Sequence, residues 1–290
     1  AHSSPYLVRT AGEGPLSYQL LVTAPEEVAP AVAILHRLGA DAIDLNLGCP
    51  APKVRLAGGG SSLMADPARV CRIVATARRH TTLPLTAKIR LGETLDEGRL
   101  KEFCQMLAEE GIDLLTVHAR LRREPFGRKP RWEWVGRVKH WLKIPVIANG
   151  GVCSVETARE CLRISGADGL MLGRAAAEKP WIFAEIARDV YGAEIGSREI
   201  DLPQIYLEMA AALSARFRPE RRLGRLKEFT HYFARNYPFG HHLAMAVQAS
   251  GSMEEAWERA LAFFARQAPG NCLPGRVPGA GGDPLSAGPD

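Results

Sequence analysis

The chain has 290 residues, 46% hydrophobic and 24% charged, the balance of a folded globular protein, which excludes wholesale disorder. No apolar run approaches the roughly 18 residues that span a bilayer, so a transmembrane helix is excluded too. Thirty-seven basic against 32 acidic residues leave a formal charge of +5, too small an excess to identify a partner unless it is concentrated somewhere.

The first fifteen residues lack the basic and apolar regions of a secretory signal. Six widely spaced cysteines (Cys49, Cys71, Cys104, Cys153, Cys161, Cys272) include no CxxC pair. That spacing argues against a zinc site and a dense disulfide framework, so a cytoplasmic protein without a metal is expected.

In chain order, short apolar runs predict strands at 18–22, 42–47, 85–90, 114–118, 145–148 and 169–172. Helical patterns over 25–38, 67–79, 97–110 and 155–164 lie between them, with Asp66-Pro67 and Ser154 as expected helix starts. Gly39-Ala40-Asp41, Gly111-Ile112-Asp113 and Gly166-Ala167-Asp168 recur before strands, each glycine ending a helix in the left-handed conformation. Strands alternating with helices predict a parallel sheet. Polar or glycine positions stand at the C-terminal end of nearly every strand: Asn46 and Cys49, Lys88 and Arg90, His118, Asn149-Gly150-Gly151, Gly173-Arg174. A doubly wound sheet would gather them at one switch point; chemistry spread around all strand ends is the pattern of a TIM (β/α) barrel. From residue 202 the pattern turns to helices alone, over 202–217, 222–236, 242–249 and 253–267, predicting a C-terminal helical bundle. Eleven of the final 23 residues are glycine or proline, too little apolar surface to offset ordering entropy, so a disordered tail is expected. The expected domains are therefore 1–190, 201–267 and the tail 268–290.

Asn46-Leu47-Gly48-Cys49-Pro50 follows the second strand. An isolated cysteine is more often a buried structural one, but Gly48 and Pro50 force a tight loop and Gly58-Gly59-Gly60 keeps the next loop bare. Cys49 is accordingly read as a nucleophile or general acid. Lys88 and Arg90 share one strand face, where unpaired cations are costly unless an anionic or electron-rich ligand meets them; the alternative is a surface-directed strand end. His118 stands at the same depth, as a site residue or a hydrogen-bonded cap. Asn149-Gly150-Gly151 and Leu172-Gly173-Arg174 sit where barrels commonly hold a phosphate. Residues 120–131 and 216–227 each carry a net +5, leaving the rest of the chain at −5. Such runs are commonly solvated surface, but two on one chain fit a phosphate backbone better.

Asp44-Leu45-Asn46-Leu47-Gly48-Cys49-Pro50, Ala87-Lys88-Ile89-Arg90-Leu91-Gly92, Thr116-Val117-His118-Ala119-Arg120, Ile147-Ala148-Asn149-Gly150-Gly151 and Met171-Leu172-Gly173-Arg174 with Pro180-Trp181 together resemble the tRNA-dihydrouridine synthase family of flavoenzymes. Gly58–Gly60 and Asn236-Tyr237-Pro238 look most like the bacterial subgroup acting on uridine 16 of the D-loop. The resemblance implies an FMN-containing barrel joined to a helical tRNA-binding domain, with NADPH as reductant; no membrane partner is expected, and a monomer is. By the family's motifs Gln19, Lys88, His118, Asn149, Gly151, Gly173 and Arg174 would contact FMN, and Cys49 would protonate C5 of the uracil. Asn46, Arg90, Arg120, Arg221, Arg222, Arg225 and Lys227 would contact the tRNA. The uridine would leave its stacked setting to reach the flavin. The chain departs from the family in showing six strands, not eight: the opening strand with its Pro-Met-Ala-type flavin turn and the second strand have no counterpart before Gln19. The expected fold is thus a TIM barrel lacking its first two strands. Phe126, where relatives often carry tyrosine, and Gly151-Val152, where they often have an acidic residue, are further departures. Two alternatives follow: a tRNA-binding paralogue or truncated fragment without flavin, and a flavin barrel acting on a small molecule, of the dihydroorotate dehydrogenase type. The helical appendage and the basic stretches disfavour the second.

Overall fold

The structure is a computed structural model and describes residues 7, 9–10 and 12–267; the tail expected over 268–290, Cys272 with it, lies outside the described residues. Two compact units divide the chain, Ala1–Ile195 and Gly196–Asp290.

In the first unit six strands form one parallel sheet in sequential order: β1 Ser17–Leu20, β2 Ala42–Asn46, β3 Leu85–Arg90, β4 Leu114–His118, β5 Val146–Asn149 and β6 Gly169–Met171. The intervening helices are α1 Val28–Arg37, α2 Pro52–Leu56, α3 Pro67–His80, α4 Glu97–Glu109, α5 Trp132–Trp141 and α6 Val155–Ser165, followed by α7 Arg174–Glu178 and α8 Ile182–Asp189. Parallel strands paired in chain order are the arrangement of a TIM-barrel-like α/β sheet. Side chains of a strand alternate between faces, and the two faces here differ in kind. The outer set, including Ile43, Leu45, Leu85, Ala87, Ile89, Leu115, Val117, Val146 and Ala148, is fully buried with Val32, Ile73, Leu107 and Val135 of the helices. The inner set is mostly polar and aligns in register as layers: Gln19, Asp44 and Thr86; then Asn46, Lys88 and Thr116; then Arg90, His118 and Asn149.

The repeated glycine signature behaves as expected, with Gly39, Gly111 and Gly166 at φ +71°, +101° and +59°. The aspartate two residues later has a role that the spacing alone does not reveal. Asp41, Asp113 and Asp168 accept the backbone N–H of Leu16, Leu85 and Val146, at 2.7, 2.8 and 2.7 Å, so each ties its own strand to the start of the preceding one. Each also pairs with a cation, Arg9, Arg78 or Lys139. Asp66 and Ser154 cap α3 and α6 through Arg69 N and Thr157 N. The strand 145–148 is displaced by one residue because Pro145 has no N–H for a ladder. Helix α5 escapes the sequence pattern: only Trp132, Val135 and Val138 of its ten residues are buried, and its glycine and aromatic residues are weak helix formers.

The second unit contains α9 Leu202–Arg216, α10 Pro219–Phe233, α11 Gly240–Gln248 and α12 Met253–Arg266. Its core is aromatic. Tyr206 meets Phe229, Phe233 and Phe264 at 5.8, 5.6 and 5.3 Å between ring centroids, and its buried hydroxyl donates to Thr230 Oγ1 at 2.7 Å, whose own proton goes to Leu226 O. No helix among the described residues is long and apolar enough to cross a membrane.

Replacing Asp168 by Ala should strand the buried Val146 N–H and lower the stability of the first unit by about 1–3 kcal/mol. Urea unfolding followed by tryptophan fluorescence reads this, since four of the five tryptophans lie in that unit; an unchanged midpoint would refute the strand-tying role.

Candidate active site

The C-terminal ends of β1 to β6 bring together Gln19, Asn46, Cys49, Lys88, Arg90, His118, Arg120, Asn149 and Arg174. Cys49 is half-buried in the loop after β2, and its place is set by what surrounds it. A Cβ on Gly48 would lie 3.0 Å from Ile89 C and 3.2 Å from Lys88 O, so this loop lies flat on the β3 backbone. A Cβ on Gly60, at φ +57°, would come within 2.6 Å of Cys49 O and 3.0 Å of Cys49 Cβ. The glycine triplet is therefore no linker: Gly60 opens a short 3-10 helix, Gly60–Ala65, packed against Cys49. Asn46 Oδ1 accepts the N–H of Gly48 and of Cys49, and Ser61 N donates to Cys49 O at 3.0 Å. Asn46 Nδ2 in turn donates to Gln19 Oε1 at 2.7 Å, and Gln19 Nε2 to Asp44 Oδ2 at 2.6 Å.

Lys88, Arg90, Arg120 and Arg174 converge on His118. Burial, reinforced by the Arg90 charge, pulls Lys88 down to about 8, against the attraction of Asp44 and Cys49. The Lys88 ammonium makes no hydrogen bond among the described residues. Burial and then the charges of Arg90, Lys88, Arg120 and Arg174 push His118 down to about 3, so its imidazole is neutral at ordinary pH. Asp44, 7% exposed, is the sole carboxylate on the inner face of the six strands.

The loop between β4 and α5 is clasped over this cluster from several sides. Arg90 Nη1 donates to Leu121 O, Arg120 to Phe126 O and Arg128 O, and Arg174 Nη2 to Phe126 O. Glu124, held at about 2 chiefly by its hydrogen bond from Arg131, also accepts Leu121 N and pairs with Arg128. The half-exposed Phe126 ring lies under the Arg174 guanidinium at 4.7 Å and stacks at 16° on His118. The basic stretch 120–131 is thus largely engaged within the first unit: Arg120 is buried, and Arg122 and Arg123 pair with Glu93 of the β3–α4 connection. Asn149 Nδ2 donates to Met171 O, Gly151 packs on Pro130, and Gly173 stands exposed just before α7.

In the second unit the four residues expected to contact tRNA lie on α10. Arg221 is exposed, Arg222 Nε donates to Phe217 O, and Arg225 pairs with Glu228. Lys227 lines a groove of about 580 Å³ with His231, Tyr232, Met245 and Gln248. The sequence reading gave no role to Asp44, Thr86 or Glu124. Counting back in twos from Asn46 and Lys88 would have placed Asp44 and Thr86 on the inner face; nothing local signals Glu124.

A family model described as Dihydrouridine synthase (Dus) matches residues 4–266. The chain belongs to that family. Among curated members, the tRNA-dihydrouridine(16) synthase of Pseudomonas putida is 38% identical over 79% of this chain and 72% of its own length. The tRNA-dihydrouridine(16) synthase of Aquipseudomonas alcaligenes is 35% identical over 87% of this chain and 79% of its own. The probable tRNA-dihydrouridine synthase 1 of Synechocystis is 41% identical over 60% of this chain, and the chain spans only about half (49%) of that relative.

NMR of the His118 ring carbon–proton pair should show no titration between pH 8 and 5; a midpoint near the ordinary 6.5 would contradict the cation-crowded site. Because the unfolded chain takes up the proton first, His118 should also lower stability as pH falls from roughly 6.5 towards about 3.

Proposed function

We propose that the chain is a tRNA-dihydrouridine synthase that uses FMN and NADPH to reduce the C5=C6 bond of a D-loop uridine, with uridine 16 the target. The observation that carries the reading is a half-buried ammonium and three guanidinium groups around a neutral imidazole, beside a cysteine loop clamped between Gly48 and Gly60. Such a mouth suits an anionic, electron-rich group. The residues fit FMN: the Lys88 ammonium has no hydrogen-bonding partner among the described residues, and the inner face opposes the cations with only Asp44. Gln19, Lys88 and His118 would hold the isoalloxazine, and Asn149, Gly151, Gly173 and Arg174 the phosphate. When bound, the reduced flavin supplies a hydride for C6 of the uracil. Cys49 delivers the proton to C5, so the two additions saturate the double bond. Neutral His118 offers a hydrogen bond without competing as an acid. Asn46 and Arg90 orient the base, and the loop carrying Phe126 excludes water from the reacting face. The names of the Pseudomonas putida and Aquipseudomonas alcaligenes relatives support position 16.

For tRNA, Arg221 and Lys227 are the better candidates for phosphate contacts, because Arg222 and Arg225 already hold Phe217 O and Glu228. Arg120 acts on the substrate through the loop it clasps.

Cys49→Ala should keep FMN and lose dihydrouridine formation by at least about a hundredfold, assayed on tRNA from a synthase-deficient strain; normal turnover would remove Cys49 from the acid's role. Replacing Arg221 and Lys227 together by Gln should weaken tRNA binding and lower its salt slope by about two. An unchanged slope would make this stretch solvated surface.

A further inference from the structure

We infer that Asp44 is a positioning residue for Cys49, acting through Gln19 and Asn46; this rests on the reading of Cys49 as the acid. The argument is one of hydrogen-bond polarity. A carboxylate only accepts, whereas an amide accepts at one end and donates at the other. Asp44 Oδ1 accepts Thr86 Oγ1 at 2.5 Å and Oδ2 accepts Gln19 Nε2 at 2.6 Å. With its nitrogen committed to Asp44, Gln19 turns its oxygen to Asn46, whose Nδ2 donates to it at 2.7 Å. Asn46 must then turn its own oxygen to the chain that follows, where it accepts Gly48 N at 3.2 Å and Cys49 N at 3.0 Å. The carboxylate at one end sets the sense of every amide along the chain and presents an acceptor to the backbone of the cysteine.

The geometry of the sheet makes this possible. Gln19, Asp44 and Thr86 are register partners on β1, β2 and β3, and Asn46 is the next inner-face residue of β2. Asp44 is buried, so its oxygens have few waters to bond instead. An Asn at position 44 has nearly the same shape but can donate to Gln19 Oε1. Gln19 can then turn over and offer its nitrogen to Asn46, and Asn46 its nitrogen to Cys49 N–H. Two donors would face each other, and the loop would leave its place. Leu47 N, bonded to Lys88 O, and Gly48 against the β3 backbone would keep the rest of the strand where it is.

The test is a double-variant cycle on the full chain, read both by turnover and by site-specific alkylation. Asp44→Asn should lower kcat about tenfold or more with the KM for tRNA little changed, as expected of a group misplaced by a fraction of an ångström. Iodoacetamide labelling of Cys49, resolved by peptide mass spectrometry, should become about threefold faster or more as the loop loosens. Exposed Cys153, on a loop remote in sequence, should keep its rate and serves as the control. In an Asn46→Ala background the same Asp44→Asn change should alter the Cys49 labelling rate by no more than about twofold, because the link to the loop is already cut. Gln19→Ala, which breaks the chain in its middle and spares Asp44, should reproduce the Asp44→Asn labelling rate and adds a route if Asp44→Asn folds poorly. An unchanged Cys49 labelling rate in both variants, or an Asp44→Asn effect on labelling equally large in the Asn46→Ala background, would overturn the inference. Full turnover by Cys49→Ala would overturn the acid's role alone, and the labelling arms would still decide whether Asp44 positions the loop.

Discussion

Four cationic side chains facing one neutral imidazole, with a single carboxylate on the same sheet face, form the constraint around which the first unit is arranged. Like charges gathered at partly buried positions repel and lose hydration. The fold answers with backbone carbonyls, an aromatic ring and a loop. Arg90, Arg120 and Arg174 find carbonyls of the β4–α5 loop, and Phe126 gives two of them a ring face. Among the described residues the Lys88 ammonium finds no such partner, which leaves the mouth electropositive and suited to an anionic or electron-rich occupant.

The opposite ends of the strands carry the complementary arrangement. There Asp41, Asp113 and Asp168 tie neighbouring strands together with hydrogen bonds and ion pairs. Strand-tying contacts thus lie at the N-terminal ends and the proposed chemistry at the C-terminal ends, the division expected of TIM-barrel-like sheets. The outer apolar face fixes the register of each strand, since a slip of one residue would turn the polar set towards the helices. Through that register the sheet stacks Gln19, Asp44 and Thr86 below Asn46 and Lys88, and both below Arg90 and His118.

Much of this was legible in the sequence for physical reasons. Lys88 and Arg90 share a face because strands repeat every two residues, and Gly39, Gly111 and Gly166 end helices because other residues resist the left-handed conformation. Cys49 drew notice through its glycines, and the close approaches of Gly48 and Gly60 show why they are there. What stayed hidden depended on contacts distant in sequence. Glu124 has no local signature, and its role arises only when the loop folds back onto Arg128 and Arg131. The basic stretch 120–131 reads as a nucleic-acid surface until Glu93 and the loop carbonyls are seen to occupy it. The one at 216–227 divides in the same way, with Arg222 and Arg225 engaged by their own helix region and Arg221 exposed. Asp44 lay within a quoted motif, yet its place in the chain of amides needed β1 alongside β2.

The central claim is that the cluster around His118 takes a flavin that bears a phosphate. It is tested most directly by titrating FMN and riboflavin separately into the flavin-free full chain and following the quenching of flavin fluorescence. FMN should bind more tightly than riboflavin, and Arg174→Ala should abolish most of the difference while leaving riboflavin binding nearly unchanged. Equal affinity for the two flavins, or no binding of either, would contradict the account.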